Sequence, residues 1–470
     1  MKYKEDFKGK RVTVYGLGLH GGGVSTVRFL VEAGAFVTVT DLKSQEQLLP
    51  SIEKLAPFEK NIQYVLGQHR GEDFTKTDMV VKSPAIPWSD KYIRLALENN
   101  IKIEMDSSIF FRYWNRPIIG VTGTKGKTTT ALLTAHLLQM IGIDALEVGI
   151  GQVPVLDSLV KMKQDSVAVF ELSSWRLSAF SEIQMKKSPH IAIFKNFLPD
   201  HLNYYSTMEA YLRDKKNIFL YQKPTDWCLL NYDDPVLREL QGEVKAQILW
   251  FGFSRPETGK SIFIEQGWIV LDDGIDRKRI VATRELGLQG KHNIINATAA
   301  IGACWAYGAS LEKIKKRARD VEGIPHRLEF VAEIRGVKYY NDTTATIPDA
   351  TISALHSFTQ PVILIAGGSN KGLNYEGFAK SVSHRTKNIV FLQGTATVDM
   401  KKALFERIGE RANAFPEESS MERALVRATS LAQAGDVIVL SPGAASFGMF
   451  QNEFDRGDQF RTIVHSLRKR

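Results

Sequence analysis

The segment that most constrains the fold is a glycine-rich loop at residues 120–130, Gly-Val-Thr-Gly-Thr-Lys-Gly-Lys-Thr-Thr-Thr. It follows an apolar run and leads into residues 131–139, where apolar residues recur at helical spacing. A strand, a glycine loop and a helix form a phosphate cradle in which Lys127 adds a mobile charge and Thr128 offers a hydroxyl to Mg²⁺. The strict P-loop pattern has glycine where Val121 stands, so a glycine turn with a chance lysine is the alternative. We predict that the chain binds a nucleoside triphosphate.

Length and charge narrow the class of protein. The 470 residues are enough for about three domains. The net charge of +9 comes from scattered basic residues, and a solvated surface with anionic substrates accounts for it as well as a nucleic acid would. We therefore expect small-molecule substrates and no nucleic-acid partner.

Cysteine usage and hydropathy both favour a location in the cytoplasm. Cys228 and Cys304 lie far apart in apolar settings, which favours buried free thiols in a reducing environment. The charged residues 1–7 lack the apolar core of a signal peptide, and no apolar run approaches the length of a membrane span. We expect a cytoplasmic protein, a monomer, with no membrane partner.

The first third of the chain has the pattern of a nucleotide-binding α/β domain. A predicted strand at residues 10–15 leads into the glycines of residues 16–21, and a second strand ends at Asp41, about twenty positions further on. This predicts a Rossmann-like nucleotide site, with NAD as one candidate ligand among several. Another strand at 78–82 ends in a rigid turn at 83–87, which is either a ligand contact or a simple connection.

The central third places polar residues after predicted strands. A strand at 165–171 ends in Glu171, which holds Mg²⁺ or has a structural role. His201 follows the next strand in a polar loop, where it contacts metal or phosphate or is plain surface. Lys215 shares a face of a predicted helix with Tyr211 and Ile218, and a lysine on such a face usually has a partner or a function.

The last third repeats the α/β pattern after a joint at residues 321–325. Asn293, early in the preceding small-residue helix, either reads a base edge or caps the helix. Four strand–helix units are predicted, with strands at 336–341, 361–367, 388–393 and 436–441. Their ends form a polar, glycine-rich rim with Lys371, which suits a small zwitterionic or anionic substrate.

Six motifs, in this order, resemble those of the Mur ligase family, ATP-dependent amino-acid ligases of peptidoglycan precursor synthesis. The motifs occupy residues 120–128 (Gly-Val-Thr-Gly-Thr-Lys-Gly-Lys-Thr), 171–174 (Glu-Leu-Ser-Ser), 200–202 (Asp-His-Leu), 290–293 (Gly-Lys-His-Asn), 325–329 (Pro-His-Arg-Leu-Glu) and 341–346 (Asn-Asp-Thr-Thr-Ala-Thr). The resemblance covers nearly the whole chain. It implies an α/β protein of three domains: a Rossmann-like domain for a UDP-sugar at 1–106, a P-loop-type ATP-binding ligase domain at 107–323, and a Rossmann-like amino-acid domain at 324–470.

The resemblance also implies roles for individual residues. Lys127, Glu171, His201 and Lys215 would be catalytic, and two Mg²⁺ ions would be held by Thr128, Glu171, His201 and a carbamylated Lys215. The implied ATP contacts are Thr124, Lys125, Gly126, Lys127, Thr128, Thr129, Asn293, Arg327 and Asp342. The implied UDP-sugar contacts are Gly18, Leu19, His20, Asp41 and Ser83. The implied glutamate contacts are Thr346, Lys371, Ser446 and Phe447.

The implied reaction joins glutamate to UDP-N-acetylmuramoyl-L-alanine through an acyl phosphate. The chain departs from the family pattern at Thr344, where lysine is usual, at Gly448, where aspartate is common, and at Glu453, where an aromatic residue is common. Residues 346–351, Thr-Ile-Pro-Asp-Ala-Thr, are closer to a branch that adds L-glutamate. We nevertheless expect D-glutamate as the substrate, because it is the more frequent one in the family, and keep L-glutamate as the alternative.

Two further alternatives come from outside this reaction. A folylpolyglutamate synthase-like ligase shares the central machinery but has no need of the N-terminal nucleotide fold. A nucleotide-binding regulatory protein would explain the glycine loops but not Lys215 or residues 200–201.

Overall fold

The computed structural model describes residues 3–19, 21–150, 153–200, 204–287, 290–320, 325–370 and 373–467, whose strands form sheets of five, nine and six strands. By compactness the chain divides into two units. The first consists of Met1–Glu285 with Ile295–Arg319 and holds the first two sheets; the second consists of Leu286–Ile294 with Asp320–Arg470 and holds the third. The domain boundaries after residues 106 and 323 stay predictions, since this division separates two units and not three.

The first sheet is entirely parallel. Its strands are β1 Arg11–Tyr15, β2 Phe36–Asp41, β3 Ile62–Leu66, β4 Met79–Lys82 and β5 Lys102–Glu104. Its helices are α1 Tyr3–Phe7, α2 Gly22–Glu32, α3 Gln45–Ile52, α4 Glu72–Thr75, α5 Lys91–Glu98 and α6 Asp106–Tyr113. Side chains alternate along β1, so Val12 and Val14 join the core with α2, while Tyr15 joins the core with α4 and α5. The strand order β3-β2-β1-β4-β5 reverses between β1 and β4, and ligands bind at such a reversal in open α/β sheets.

The second sheet surrounds the phosphate loop. Its strands are β6 Ile118–Thr122, β7 Ala145–Val148, β8 Val167–Glu171, β9 Ile191–Phe194, β10 Trp227–Asn231, β11 Gln247–Gly252, β12 Lys260–Glu265, β13 Trp268–Asp272 and β14 Arg277–Ala282. Its helices are α7 Lys127–Met140, α8 Val155–Lys161, α9 Ser174–Glu182, α10 Met208–Lys216, α11 Pro235–Glu239, α12 Lys291–Ala306 and α13 Leu311–Ala318. Strand β6 is buried throughout and lies between β8 and β9. Strands β12 and β13 pair antiparallel as a hairpin.

The third sheet has the order β15-β16-β20-β17-β18-β19. Its strands are β15 Glu329–Ile334, β16 Val337–Asn341, β17 Val362–Gly367, β18 Thr386–Leu392, β19 Glu417–Glu418 and β20 Val437–Leu440. Its helices are α14 Pro348–Leu355, α15 Glu376–Arg385, α16 Thr395–Ile408, α17 Met421–Leu431 and α18 Glu453–Leu467. The four predicted strands are confirmed. Strands β15 and β19 were not predicted. Strand β15 pairs antiparallel with β16 across Arg335 and Gly336, both of which have positive φ as a tight hairpin requires.

Two expectations from composition can be compared with the structure. Cys228 and Cys304 are free and buried, as predicted. Within the described ranges, no helix combines the length and the apolar character that crossing a bilayer requires.

Candidate active site

The phosphate loop connects β6 to α7 with two glycines in conformations that other residues rarely adopt. Gly123 has φ 146° and Gly126 has φ 80°. A Cβ atom at Gly123 would lie 2.7 Å from Cβ of Lys195, and one at Gly126 would lie 2.6 Å from Oδ1 of Asn296. Both positions therefore require glycine, because backbone conformation and neighbouring atoms exclude a side chain.

An asparagine that the sequence analysis missed holds this loop in place. The side-chain oxygen of Asn196 accepts hydrogen bonds from the amides of Thr124, at 2.9 Å, and Lys125, at 2.8 Å. Its Nδ2 donates to the carbonyl of Lys125 at 3.1 Å. Thr124 Oγ1 also donates to the carbonyl of Leu198 at 3.2 Å. The residues after β9 thus preorganise the loop, and a polar residue directly after an apolar strand was the available signal.

Two lysines meet at one carbonyl of the loop. Lys127 Nζ donates to the carbonyls of Gly123 and Thr124, both at 3.1 Å. Lys215 Nζ, on α10, donates to the same Gly123 carbonyl at 2.8 Å and is only 1% exposed. The structure therefore brings Lys215 to the phosphate loop, as the helix-face argument required.

The surroundings of Lys215 favour its uncharged form. Burial lowers the pKa of its amine well below the ordinary value, and the nearby charge of Lys127 lowers it further. Asp200, Glu171 and Asp214 oppose this shift through their negative charges but do not outweigh burial. This shift favours the neutral form of the amine, and a neutral amine is a nucleophile.

Two of the residues predicted to hold metal, Glu171 and Thr128, lie at the same edge of the sheet as the loop. Glu171 ends β8 and is the Cα partner of Val121 in β6, and Thr128 lies in the first turn of α7. Both side chains are partly exposed, and hydroxyl and carboxylate oxygens are the ligands that Mg²⁺ prefers. His201 lies outside the described residues. Within the described part, no group of three or more His, Cys, Asp or Glu side chains could hold a metal.

A second candidate site is a cavity of about 570 Å³ at the carboxyl ends of β1, β2 and β4. Of the predicted UDP-sugar contacts, Gly18, Asp41 and Ser83 line it. Leu19 is 46% exposed and does not belong to its described lining, and His20 lies outside the described residues. The volume is that of a typical small-molecule site.

Asp41 holds the glycine turn of this cavity. Its Oδ2 accepts from the amides of Leu17, at 2.9 Å, and Gly18, at 3.0 Å, and its Oδ1 accepts from the amide of Lys43 at 3.0 Å. The carboxylate is buried. Two amide hydrogen bonds therefore fix the turn through a negatively charged residue, and the third orients that carboxylate.

Lys82 and Arg176 also line the cavity, and the sequence analysis missed both. Lys82 is buried, and its Nζ donates to the carbonyls of Ile86, at 2.8 Å, and Ser83, at 3.3 Å, while lying 4.6 Å from the ring centre of Trp88. Burial lowers the pKa of Lys82 to about 7. Arg176, from α9, lies 3.1 Å from a carboxylate oxygen of Asp106. The turn at 83–87 is therefore held from within by Lys82 and lines the cavity.

In the second unit, the predicted ATP contacts lie at two places. Asp342 follows β16, where its Oδ1 accepts from the amide of Leu328 at 3.1 Å and its Oδ2 accepts from Ser441 Oγ at 2.8 Å. Burial raises the pKa of Asp342 to about 7, although Arg327 opposes the shift. Asn293 lies near the start of α12 and is buried. Arg327 and Asp342 are thus electrostatic neighbours.

The predicted glutamate contacts lie on two loops of this unit. Thr346 is partly exposed after β16, and Ser446 is buried and Phe447 is 56% exposed after β20. The fully buried Arg456 connects these loops, since it donates to the carbonyl of Thr343 at 2.9 Å and to that of Ala444 at 3.3 Å. Lys371 lies outside the described residues. The sequence analysis missed Arg456 because its partners are more than ten and more than a hundred positions away.

Three family models match successive parts of the chain. The Mur ligase MurD-like N-terminal domain matches residues 10–104, the Mur ligase middle domain matches residues 121–304, and the Mur ligase glutamate ligase domain matches residues 326–443. Together the three models account for most of the sequence, in the order that the motifs predicted.

Two full-length relatives carry the same name. The chain is 39% identical to the UDP-N-acetylmuramoylalanine–D-glutamate ligase of Roseiflexus sp. (strain RS-1), over 98% of this chain and 99% of that protein. It is 35% identical to the protein of the same name from Pelotomaculum thermopropionicum, over 99% of each. The likeness therefore extends over all three sheets.

Solved structures share the fold at lower identity. The UDP-N-acetylmuramate-alanine ligase of Thermotoga maritima matches with a TM-score of 0.57 at 16% identity, over 97% of this chain and 99% of that chain. A pseudomurein peptide ligase type C from Methanothermus fervidus matches with a TM-score of 0.54 at 17% identity, over 97% and 100%. The predicted fold class is confirmed: three α/β domains, with a central nucleotide-binding domain between Rossmann-like first and last domains.

Proposed function

The chain belongs to the Mur ligase family, and we propose that it is the ATP-dependent ligase that joins D-glutamate to UDP-N-acetylmuramoyl-L-alanine. The observation that carries this proposal is the meeting of Lys127 and Lys215 at the Gly123 carbonyl of the phosphate loop. The names of the full-length relatives support the substrates and the D configuration.

The proposed reaction has two steps. A carboxylate oxygen of the alanyl group attacks the γ-phosphorus of ATP, and ADP leaves with the electron pair of the bond that breaks. The amine of glutamate then attacks the acyl carbon, phosphate leaves with the electron pair of its bond to that carbon, and the nitrogen loses a proton to give the amide. The first step converts a poor leaving group into phosphate, which is the chemical reason that ATP is needed.

The phosphate loop supplies the positive charge for the first step. Charge gathers on the γ-phosphoryl oxygens as the phosphoryl group transfers, and Lys127 lies where it can offset that charge. Thr128 and Glu171 would hold Mg²⁺, which when bound neutralises phosphate charge. Thr124, Lys125, Gly126 and Thr129 would offer the loop amides, and Asn293, Arg327 and Asp342 would contact the nucleotide.

We include carbamylation of Lys215 in the proposal. In its neutral form the amine would attack CO₂, so that a C–N bond forms as one C=O π bond breaks, and the nitrogen would lose one proton to give a carbamate whose single negative charge is shared by two oxygens. These oxygens would give a second Mg²⁺ ligands that an amine lacks, together with His201. The burial of the amine beside Lys127 supports this modification, because a charged lysine would not react.

The other predicted residues complete the proposal. Gly18, Leu19, His20, Asp41 and Ser83 would bind the UDP-sugar in the cavity of the first sheet, and Thr346, Lys371, Ser446 and Phe447 would bind glutamate. The match to a MurD-like N-terminal domain over residues 10–104 favours this reaction over folate glutamylation, and family membership favours ligation over a purely regulatory role. The three domain ranges, a cytoplasmic location and a monomeric state remain part of the proposal.

Phosphate release from ATP tests the function. We expect release only when UDP-N-acetylmuramoyl-L-alanine, Mg²⁺ and glutamate are all present, with D-glutamate preferred over L-glutamate. Omission of one component at a time provides the controls. Release without the sugar nucleotide, or with a folate in its place, would contradict the proposal, and a preference for L-glutamate would overturn the stereochemistry alone.

A further inference from the structure

Lys195 directly follows β9 and is a buried lysine that the reaction leaves without a role. It is 1% exposed, and its Nζ donates to the carbonyl of Ile295 in α12 at 3.2 Å. The ring of Phe251 lies on its other side, with its centre 4.8 Å from Nζ. Across the described residues, its amine forms no ion pair with a carboxylate.

Burying an amine in these surroundings costs desolvation free energy. Burial lowers the pKa of Lys195 to about 7, since the apolar surroundings disfavour its charge. A methionine has a similar length and would fill the space without a polar group to desolvate. The amine is therefore better explained by its hydrogen bond to the Ile295 carbonyl than by packing.

The amine lies between two elements that support the phosphate loop. On one side, the amide of Lys195 donates to the carbonyl of Thr122 at 2.9 Å, and the next residue is Asn196, which holds the loop amides. On the other side, Ile295 precedes Asn296, whose Oδ1 accepts from Thr130 Oγ1 at 3.3 Å. Lys195 directly precedes Asn196, and Ile295 directly precedes Asn296. The Lys195–Ile295 hydrogen bond thus links the backbone beside one asparagine to the backbone beside the other.

We propose that Lys195 is a positioning residue for the phosphate loop: its amine ties α12 at Ile295 to the end of β9 and so fixes the spacing of Asn196 and Asn296 around the loop. This inference rests on the proposed function, because it assigns ATP to this loop. Removal of the amine frees α12 to shift against β9, and the loop then loses its preorganised shape before ATP binds. The consequence is weaker ATP binding with little change in the bound-state chemistry.

The test compares Lys195→Met with the exposed Lys245→Met as its matched control. We expect Lys195→Met to melt at or above the parent temperature, to bind Mg-ATP at least tenfold more weakly by calorimetric titration, and to keep kcat within about threefold. Lys245→Met should match the parent in all three. If the lysine were purely structural, its replacement would lower the melting temperature and leave ATP affinity unchanged.

A second variant covers a folding failure. Lys195→Gln keeps a donor on a shorter stem that does not reach Ile295, and it should weaken ATP binding to a similar extent. Parent-like ATP affinity in either folded variant overturns the proposal. If the parent binds ATP without forming the amide, the ligase proposal fails, while the ATP titrations still decide the role of Lys195.

Discussion

The two glycine turns of the first unit follow the first strands of their sheets, yet residues of different charge hold them. The neutral side chain of Asn196 holds the loop at 120–130, and Lys127 and Lys215 approach it. The carboxylate of Asp41 holds the turn at 16–21 by accepting from the amides of Leu17 and Gly18.

This difference predicts different ligands for similar patterns. An asparagine leaves the positive potential of the loop amides and of Lys127 available to a highly charged triphosphate. An aspartate partly neutralises its own turn, so affinity in that cavity must come more from its walls, including Ser83 and His69. The charge of the residue that holds a glycine turn therefore matters as much as the glycines.

Removing the mobile charge of the phosphate loop should have the largest effect. Lys127→Ala is expected to lower kcat/KM about a hundredfold to a thousandfold, since it removes charge stabilisation from the phosphoryl transfer. Steady-state phosphate release measures this, with the exposed Lys161→Ala as control. A loss below tenfold would remove Lys127 from the reaction.

Lys215 should come next. Lys215→Ala is expected to lower kcat about a hundredfold without recovery by added bicarbonate, since it removes a group that would orient metal ligands and substrate phosphates. The neighbouring Lys216→Ala is the matched control, because Lys216 forms an ion pair with Glu243 instead of reaching the loop. Mass spectrometry of the native parent should detect an added carboxyl group on Lys215. Near-normal turnover of Lys215→Ala would exclude it from the site.

Exchanging the charge that holds the loop tests the comparison directly. Asn196→Asp keeps the oxygen that accepts from Thr124 and Lys125 but adds a negative charge beside bound phosphates. We expect KM for ATP to rise about tenfold to a hundredfold, because such a charge costs about 1–3 kcal/mol in a partly buried setting. The KM for the sugar nucleotide should not change. Equal ATP affinity in the variant and the parent would show that the charge of residue 196 does not affect ATP binding.

The reverse exchange should have the smallest effect. Asp41→Asn keeps the acceptor for Leu17 and Gly18 but turns an amide donor toward the amide of Lys43. We expect the free energy of unfolding to fall by about 1–2 kcal/mol and KM for the sugar nucleotide to change less than tenfold. Urea unfolding and steady-state kinetics measure these values, with the exposed Asp165→Asn as control. A change above a hundredfold would mean that Asp41 itself binds the ligand.

Much of the fold followed from local patterns. Apolar runs, glycines and helical spacing predicted β1, β6 and four strands of the third sheet, since each pattern lies within a few residues. The loop at 120–130 was predicted because phosphate binding needs glycines, a lysine and a hydroxyl at fixed short spacing. Strand β15 was missed because its hairpin lies beside the predicted joint, where glycine and proline indicated only a break.

By itself, the sequence determined which residues could bind phosphate, and the tertiary structure decided what surrounds them. Lys215 could be placed on a helix face by spacing, but only the fold brings its amine to the Gly123 carbonyl. Asn196 and Lys195 contact the loop and α12 across about seventy and one hundred positions, distances at which no local pattern carries a signal. Burial, and with it the charge state of each lysine, depends on these distant contacts, so the chemistry of the site was decided by packing.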